Sequence, residues 1–310
     1  MSKSAITTTQ LVKKFRSHFG MSRPATLDGL DLTVHESEVF GFLGKNGAGK
    51  TTTIKILCGL VRQTAGNATI FGETVPSKKS RALIGYLPEN PYFYEYLTPR
   101  ETIAFYCQLD GLSAAERKHR WDYLSESLNL REIADERVRG FSKGMRQRLG
   151  FAVAMASAPQ LLILDEPMSG LDPMGRHMIR DLILDLKKAK KTIFFSSHIL
   201  GDVEQICDRV GMLVNGRLFR EGALSELLTR EIMRVDVVAK DLGDTLIAGL
   251  ESDAIQTGNS EEAHCFSFPD HDAANVAAKS ILESGGTLLE INPIKETLED
   301  YFVRQQENEQ

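Results

Sequence analysis

Gly44-Lys45-Asn46-Gly47-Ala48-Gly49-Lys50-Thr51 fits the spacing G-x-x-x-x-G-K-[ST], in which glycines let backbone N–H groups turn inward around phosphate oxygens. Lys50 has the reach to meet β and γ phosphates, and the Thr51 hydroxyl suits Mg²⁺. Thr52, next in the chain, is counted with the phosphate-binding residues. With glycine at about 7% of residues, a random chain of this size matches the pattern on the order of once in a hundred times. A second constellation is Leu161-Leu162-Ile163-Leu164-Asp165-Glu166. An apolar run that ends in two carboxylates places both at the C-terminal edge of a buried strand, where α/β sheets hold their ligands. Asp165 is expected to position Mg²⁺, and Glu166 to orient or deprotonate the water that attacks the γ-phosphate.

These residues need particular elements around them. Residues 30–44 alternate and then condense into V-F-G-F-L-G before the glycines, and T-T-T-I-K-I-L-C-G-L after them reads as helix, so the first motif sits in a strand-loop-helix unit. Leu161–Leu164 and Thr192–Phe195 are short apolar runs separated by Met174, Met178, Ile179, Leu182, Ile183 and Leu186 at helical spacing. That is a β-α-β crossover and implies a parallel sheet. Between Asn90 and Ala158 strand signals vanish, and helices are expected around 99–110, 114–129 and 143–157, an inserted helical subdomain at about 90–158. Asn215-Gly216, flanked by Met212–Val214 and Arg217–Phe219, predicts a type I′ hairpin. The first domain is therefore placed at 1–222. Residues 223–310 read as a small α+β domain, with strands at 232–238, 264–268 and 286–292 and helices at 244–251, 272–284 and 295–305, jointed at Gly285-Gly286.

Composition narrows the function classes. The chain has 310 residues, 42% hydrophobic and 25% charged, which suits two cores. A formal charge of −5 lacks the basic excess that a phosphate backbone attracts, so no direct nucleic-acid partner is expected. Cys58, Cys107, Cys207 and Cys265 stand far apart and read as reduced packing residues. The opening M-S-K-S-A-I-T-T-T-Q carries no apolar leader region, and the run Leu149–Leu164, interrupted by Pro159, falls short of the about 20 apolar residues a spanning helix needs. No membrane-spanning segment is expected.

Taken together with Ser142-Lys143-Gly144-Met145, Ser169-Gly170-Leu171-Asp172 and His198, the motifs resemble those of an ATP-binding cassette (ABC) ATPase over roughly residues 5 to 222. The resemblance implies an α/β P-loop NTPase fold, a RecA-like core sheet with a helical subdomain, followed here by the small α+β domain. It implies ATP and Mg²⁺ as ligands. Phe141-Ser142-Lys143-Gly144-Met145 matches the position of the family signature L-S-G-G-Q, keeping the Ser and the second Gly. In the family this helix start faces the nucleotide on the other subunit, so Ser142 and Gly144 are ATP-binding positions and a second cassette, as a homodimer, is implied. Ser142 is also a plausible helix cap. The resemblance assigns His198 to the switch histidine, Asp172 to the loop linking the two sites, and Glu89 in G-Y-L-P-E-N to a Mg²⁺-ligating position where most of the family has glutamine. Phe15 resembles the aromatic that stacks on adenine, with Phe19, in the long stretch Arg16–Pro24, as the competing position. The Glu89 and S-K-G-M variants resemble a branch of exporters whose cassettes pair with a separate permease. The implied function is the ATPase subunit of such a transporter, peripheral to the cytoplasmic side of the membrane. The alternative is a soluble ABC ATPase acting on ribosomes or nucleic acid, which usually shows tandem cassettes, a basic linker or coiled-coil insertions.

Several features admit plainer readings. Tyr92, Phe93, Tyr94 and Tyr96 suit either a permease-receiving groove or the core of the helical subdomain. Lys187, Lys188, Lys190 and Lys191 complement a helix C-terminus. His264, Cys265 and His271 could suggest zinc, but strand alternation turns His264 and Cys265 to opposite faces.

Overall fold

The computed structural model describes residues 3–15, 24–228, 232–259 and 263–307, and the chain divides into two compact units, Met1–Leu224 and Ser225–Gln310.

In the first unit the elements run β1 (Ser4–Lys13), β2 (Leu27–His35), β3 (Val39–Leu43), α1 (Lys50–Leu57), β4 (Ala65–Ile70), β5 (Glu73–Thr74), α2 (Lys78–Ala82), β6 (Ile84–Leu87), α3 (Pro99–Leu109), α4 (Ala114–Ser127), α5 (Lys143–Ala154), β7 (Leu161–Asp165), α6 (Pro173–Lys188), β8 (Thr192–Ser197), α7 (Leu200–Ile206), β9 (Arg209–Val214) and β10 (Arg217–Ala223), and the single turn α8 (Leu224–Leu227) follows across the boundary between the units. The central sheet has the order β10-β9-β3-β8-β7-β6, parallel throughout except for β10. Every residue of β3, β7 and β8 is buried, as expected of strands covered on both faces, and this explains their unbroken apolar runs.

The run at 30–44, read from sequence as one pattern, is two strands in two sheets. Ser37 takes a positive φ of 62° between β2 and β3. β2 joins an antiparallel sheet of order β2-β1-β4-β5, while β3 enters the central sheet. One core cluster includes Ile6 and Leu30 from the antiparallel sheet, Ile54 and Leu57 from α1, and Phe42, Ile163 and Phe194 from the central sheet.

The helical stretch folds as the periodicity predicts, with α3, α4 and α5 in succession. Thr98 and Ser113 cap α3 and α4 through capping boxes with Glu101 and Glu116. On α6 the expected apolar stripe is buried at Ile179, Leu182, Ile183 and Leu186, while Met174 is exposed. The hairpin β9–β10 turns at Asn215 (φ 49°) and Gly216 (φ 79°), the two positive-φ positions of its turn type.

The second unit runs β11 (Ile232–Lys240), α9 (Asp244–Asp253), β12 (Gln256–Asn259), β13 (His264–Phe268), α10 (His271–Glu283), β14 (Thr287–Lys295) and α11 (Leu298–Glu307). Its sheet has the order β12-β13-β11-β14 with every neighbour antiparallel, the split β-α-β-β-α-β arrangement of ferredoxin-like domains. Val235, Val237, Phe266, Phe268, Ala274 and Ile281 form its core. β12, whose sequence Q-T-G-N carries no apolar alternation, went unpredicted.

Candidate functional site

The phosphate-binding pattern occupies the turn between β3 and α1. Gly44, Gly47 and Gly49 all have positive φ (154°, 85° and 115°). At two of these positions space as well as φ demands glycine: a Cβ on Gly44 would stand 2.5 Å from the Leu213 carbonyl oxygen, and one on Gly49 would stand 2.8 Å from that of Thr26. Gly49 is the N-cap of α1 and supplies no side-chain cap, so the first helical N–H groups keep their capacity to bind an anion. Ala48 is braced from outside, because the Gly216 N–H donates to its carbonyl at 3.0 Å.

The two carboxylates emerge from the end of β7, beside β8 in parallel register, Asp165 opposite Ser196. Asp165 is almost fully buried, and its Oδ1 accepts from the hydroxyls of Ser196 (2.8 Å) and Thr51 (3.3 Å). Burial pushes the Asp165 carboxyl above its ordinary value, the two hydroxyls oppose that rise, and the neighbouring charges of Glu166 and Glu89 add to it. Glu166 takes a left-handed backbone (φ 48°), a conformation that costs a non-glycine residue about 1 kcal/mol or more. Its N–H donates to Ser196 Oγ at 3.0 Å. One carboxylate oxygen lies 3.3 Å from Lys50 Nζ and the other 2.8 Å from His198 Nδ1. Lys50 Nζ also donates to the Gly44 carbonyl at 2.5 Å.

Lys45, Asn46, Gly47, Gly49, Lys50, Thr51, Thr52, Glu89, Glu166 and His198 thus share one cleft of about 290 Å³, with Thr26 and Ser169 in its wall. The donor set suits a small hard cation: the Thr51 hydroxyl and Asp165 carboxylate are already in contact, Glu89 lines the same cleft, and all three offer oxygen. The charges of Glu166 and Glu89 near Asp165, which add to the effect of its burial, mark a place where positive charge would be welcome.

The other sequence-predicted residues lie elsewhere. Ser142 caps α5, accepting from the Met145 N–H at 3.3 Å. Asp172 caps α6, accepting from the Gly175 N–H at 2.7 Å. Ser142, Gly144 and Asp172 line a separate cavity of about 610 Å³ that shares none of its lining residues with the first. Phe15 is 43% exposed, with the Lys13 ammonium 4.8 Å from its ring centre, and lies outside the lining of the cleft. Phe19 falls outside the described residues.

Two residues were missed by sequence reasoning. Ser196 holds the Asp165 carboxylate and the Glu166 backbone N–H, and its signal, a hydroxyl at the end of a buried strand, acquires meaning only once the register of β7 and β8 is known. Gln147, wholly buried on α5, donates from Nε2 to the Pro167 carbonyl at 2.9 Å. The cysteines are all free thiols, and burial pushes those of Cys58 and Cys207 well above the ordinary range, which leaves them unreactive.

Comparison with known proteins bears on the family and the fold. The family model described as "ABC transporter" matches residues 27–169. An uncharacterized ABC transporter ATP-binding protein of Synechocystis is 37% identical over 97% of this chain and 84% of its own length. The bacitracin transport ATP-binding protein of Bacillus licheniformis is 36% identical over 96% of each chain. A solved structure described as the ATP binding subunit of an ABC transporter is 32% identical and superposes with a TM-score of 0.65 over 72% of this chain and 91% of that one. Among the described residues no helix is long and apolar enough to cross a membrane. The chain belongs to the ABC transporter family, as one of its ATP-binding subunits, and is an ATPase built on a P-loop fold.

Proposed function

We propose that two copies of this chain close face to face around two ATP molecules and that hydrolysis reopens them, driving a separate membrane permease at the cytoplasmic surface. The observation that carries this reading is the division of the site. Lys45, Asn46, Gly47, Gly49, Lys50 and Thr51 of the loop share one cleft with Glu89, Glu166 and His198, and Asp165 reaches it through its contact with Thr51, while Ser142, Gly144 and Asp172 line another. A second copy would bring the Ser142 helix start, with its positive dipole end, to the γ-phosphate held by the first.

In each cleft the loop N–H groups and Lys50 bind the phosphates, and Thr51, Asp165 and Glu89 would hold Mg²⁺. The cation, when bound, offsets phosphate charge and helps orient the γ-phosphate. Lys50 leaves Glu166 for the phosphates, which frees that carboxylate to orient and deprotonate the attacking water. His198, still within hydrogen-bond reach of Glu166, steadies the carboxylate and the γ-phosphate. The Glu89 and Ser142-Lys143-Gly144-Met145 variants support export as the direction of transport.

Glu166→Gln tests the assignment. The variant is expected to bind ATP at least as tightly as the parent, because Lys50 loses a competing anion, and to dimerise with it. Turnover should fall about a hundredfold or more. Phosphate release together with light scattering checks both halves, and near-normal hydrolysis would refute the role given to Glu166.

A further inference from the structure

The turn that leaves β7 is held at Pro167 by a side chain from α5. Within it the Ser169 N–H donates to the Glu166 carbonyl at 3.1 Å and the Leu171 N–H to that of Met168 at 3.4 Å. The Pro167 carbonyl, directly after Glu166, instead accepts from Gln147 Nε2 at 2.9 Å. On its other side Glu166 is fixed through its own N–H, bonded to Ser196. The peptide carrying the carboxylate is therefore clamped by β8 at one end and by α5 at the other.

The orientation of the Gln147 amide is set, since only Nε2 can serve a carbonyl. Its Oε1 is buried with no hydrogen-bond partner among the described residues. A buried acceptor left unpaired is costly, so a methionine would fill the same space more cheaply, and what the glutamine adds is its N–H. The face of α5 that bears it also bears Gly144 and Gly150, three residues to either side. A Cβ on Gly144 would stand 3.7 Å from Leu171, and one on Gly150 would stand 2.5 Å from Leu87 and 3.2 Å from Pro91. One helix face thus runs from the Asp172 loop, past the Glu166 turn, to the segment that carries Glu89.

We propose that Gln147 is a positioning residue for Glu166, and that it ties the seating of the Ser142 helix to the alignment of the carboxylate in the same chain. The inference rests on the dimer reading above, in which Ser142 meets the nucleotide held by the partner copy. Engagement of one ATP is then felt, through α5 and this one hydrogen bond, at the carboxylate serving the other.

The test uses the full chain carrying Gln147→Met, with Gln147→Leu as a second variant should the methionine chain not fold. Either is expected to bind a fluorescent ATP analogue within twofold of the parent and to dimerise with ATP in the Glu166→Gln background. Its kcat should fall about tenfold to a hundredfold with KM little changed, the scale of a small misplacement of a catalytic group. In a double-mutant cycle with Ser142→Ala, the combined loss in kcat should be little more than that of the worse single variant. Unchanged kcat, a rise in KM alone, or losses that multiply would each overturn the inference. Failure of the Glu166→Gln chain to dimerise with ATP would overturn the dimer reading instead, so the two failures are separable.

Discussion

A carboxylate at the end of a buried strand becomes useful only when something fixes where it points, and here Ser196 holds the carboxylate of Asp165 and the backbone of Glu166. Its hydroxyl donates to Asp165 and accepts from the Glu166 N–H. Ser196→Ala is expected to leave that N–H unpaired in a buried place, a loss of about 1–3 kcal/mol, and to lower turnover more than tenfold with ATP affinity less affected. Urea unfolding and steady-state kinetics on the same preparation measure the two effects. Lys50, Thr51, Asp165 and Glu166 were legible from the sequence because short spacing and a strand end define them, while His198 was assigned by family resemblance. Ser196 and Gln147 were not, since one depends on a parallel register and the other on which face of α5 meets the turn after β7. Neither relation leaves a local trace in the chain.

The fit between α5 and β6 sets how the helical segment sits on the sheet. Gly85 of β6 lies under the C-terminal turn of α5, where a Cβ would collide with the Ala154 carbonyl oxygen and stand 2.7 Å from Pro159. Gly85→Ala has no flexible side-chain tip to displace and is expected to cost about 3 kcal/mol or more, at the upper end of overpacking losses, read as a lowered denaturation midpoint. The same kind of contact explains what periodicity revealed and what it concealed. Apolar stripes announced α3 to α6, β7 and β8, because burial on one stripe or on both faces shows in residue type. The boundary between β2 and β3, two strands of different sheets, rests on a turn at Ser37, and β12 is held by pairing with β13 although it carries few apolar residues. Pairing through the backbone is silent in the sequence.

At the scale of the whole molecule, the two cavities make opposite demands on one chain. One collects the groups proposed to grip a triphosphate, and the other presents the capped helix start at Ser142. Ser142→Arg is expected to abolish ATP-driven dimerisation, because its bulk would fill the surface offered to the second copy, while each monomer still binds ATP within about tenfold of the parent. Light scattering with and without nucleotide, alongside equilibrium binding, distinguishes that result from general misfolding.

The phosphate loop does not shape itself. Gly216 bonds back to Ala48, and Leu213 stands against Gly44, so residues near the start of the chain take their form from a hairpin made much later in synthesis. A nascent polypeptide emerging from the ribosome therefore carries the code for gripping a nucleotide long before it can grip one. The newborn subunit is therefore expected to gain its affinity for cellular ATP only when its first unit is almost complete.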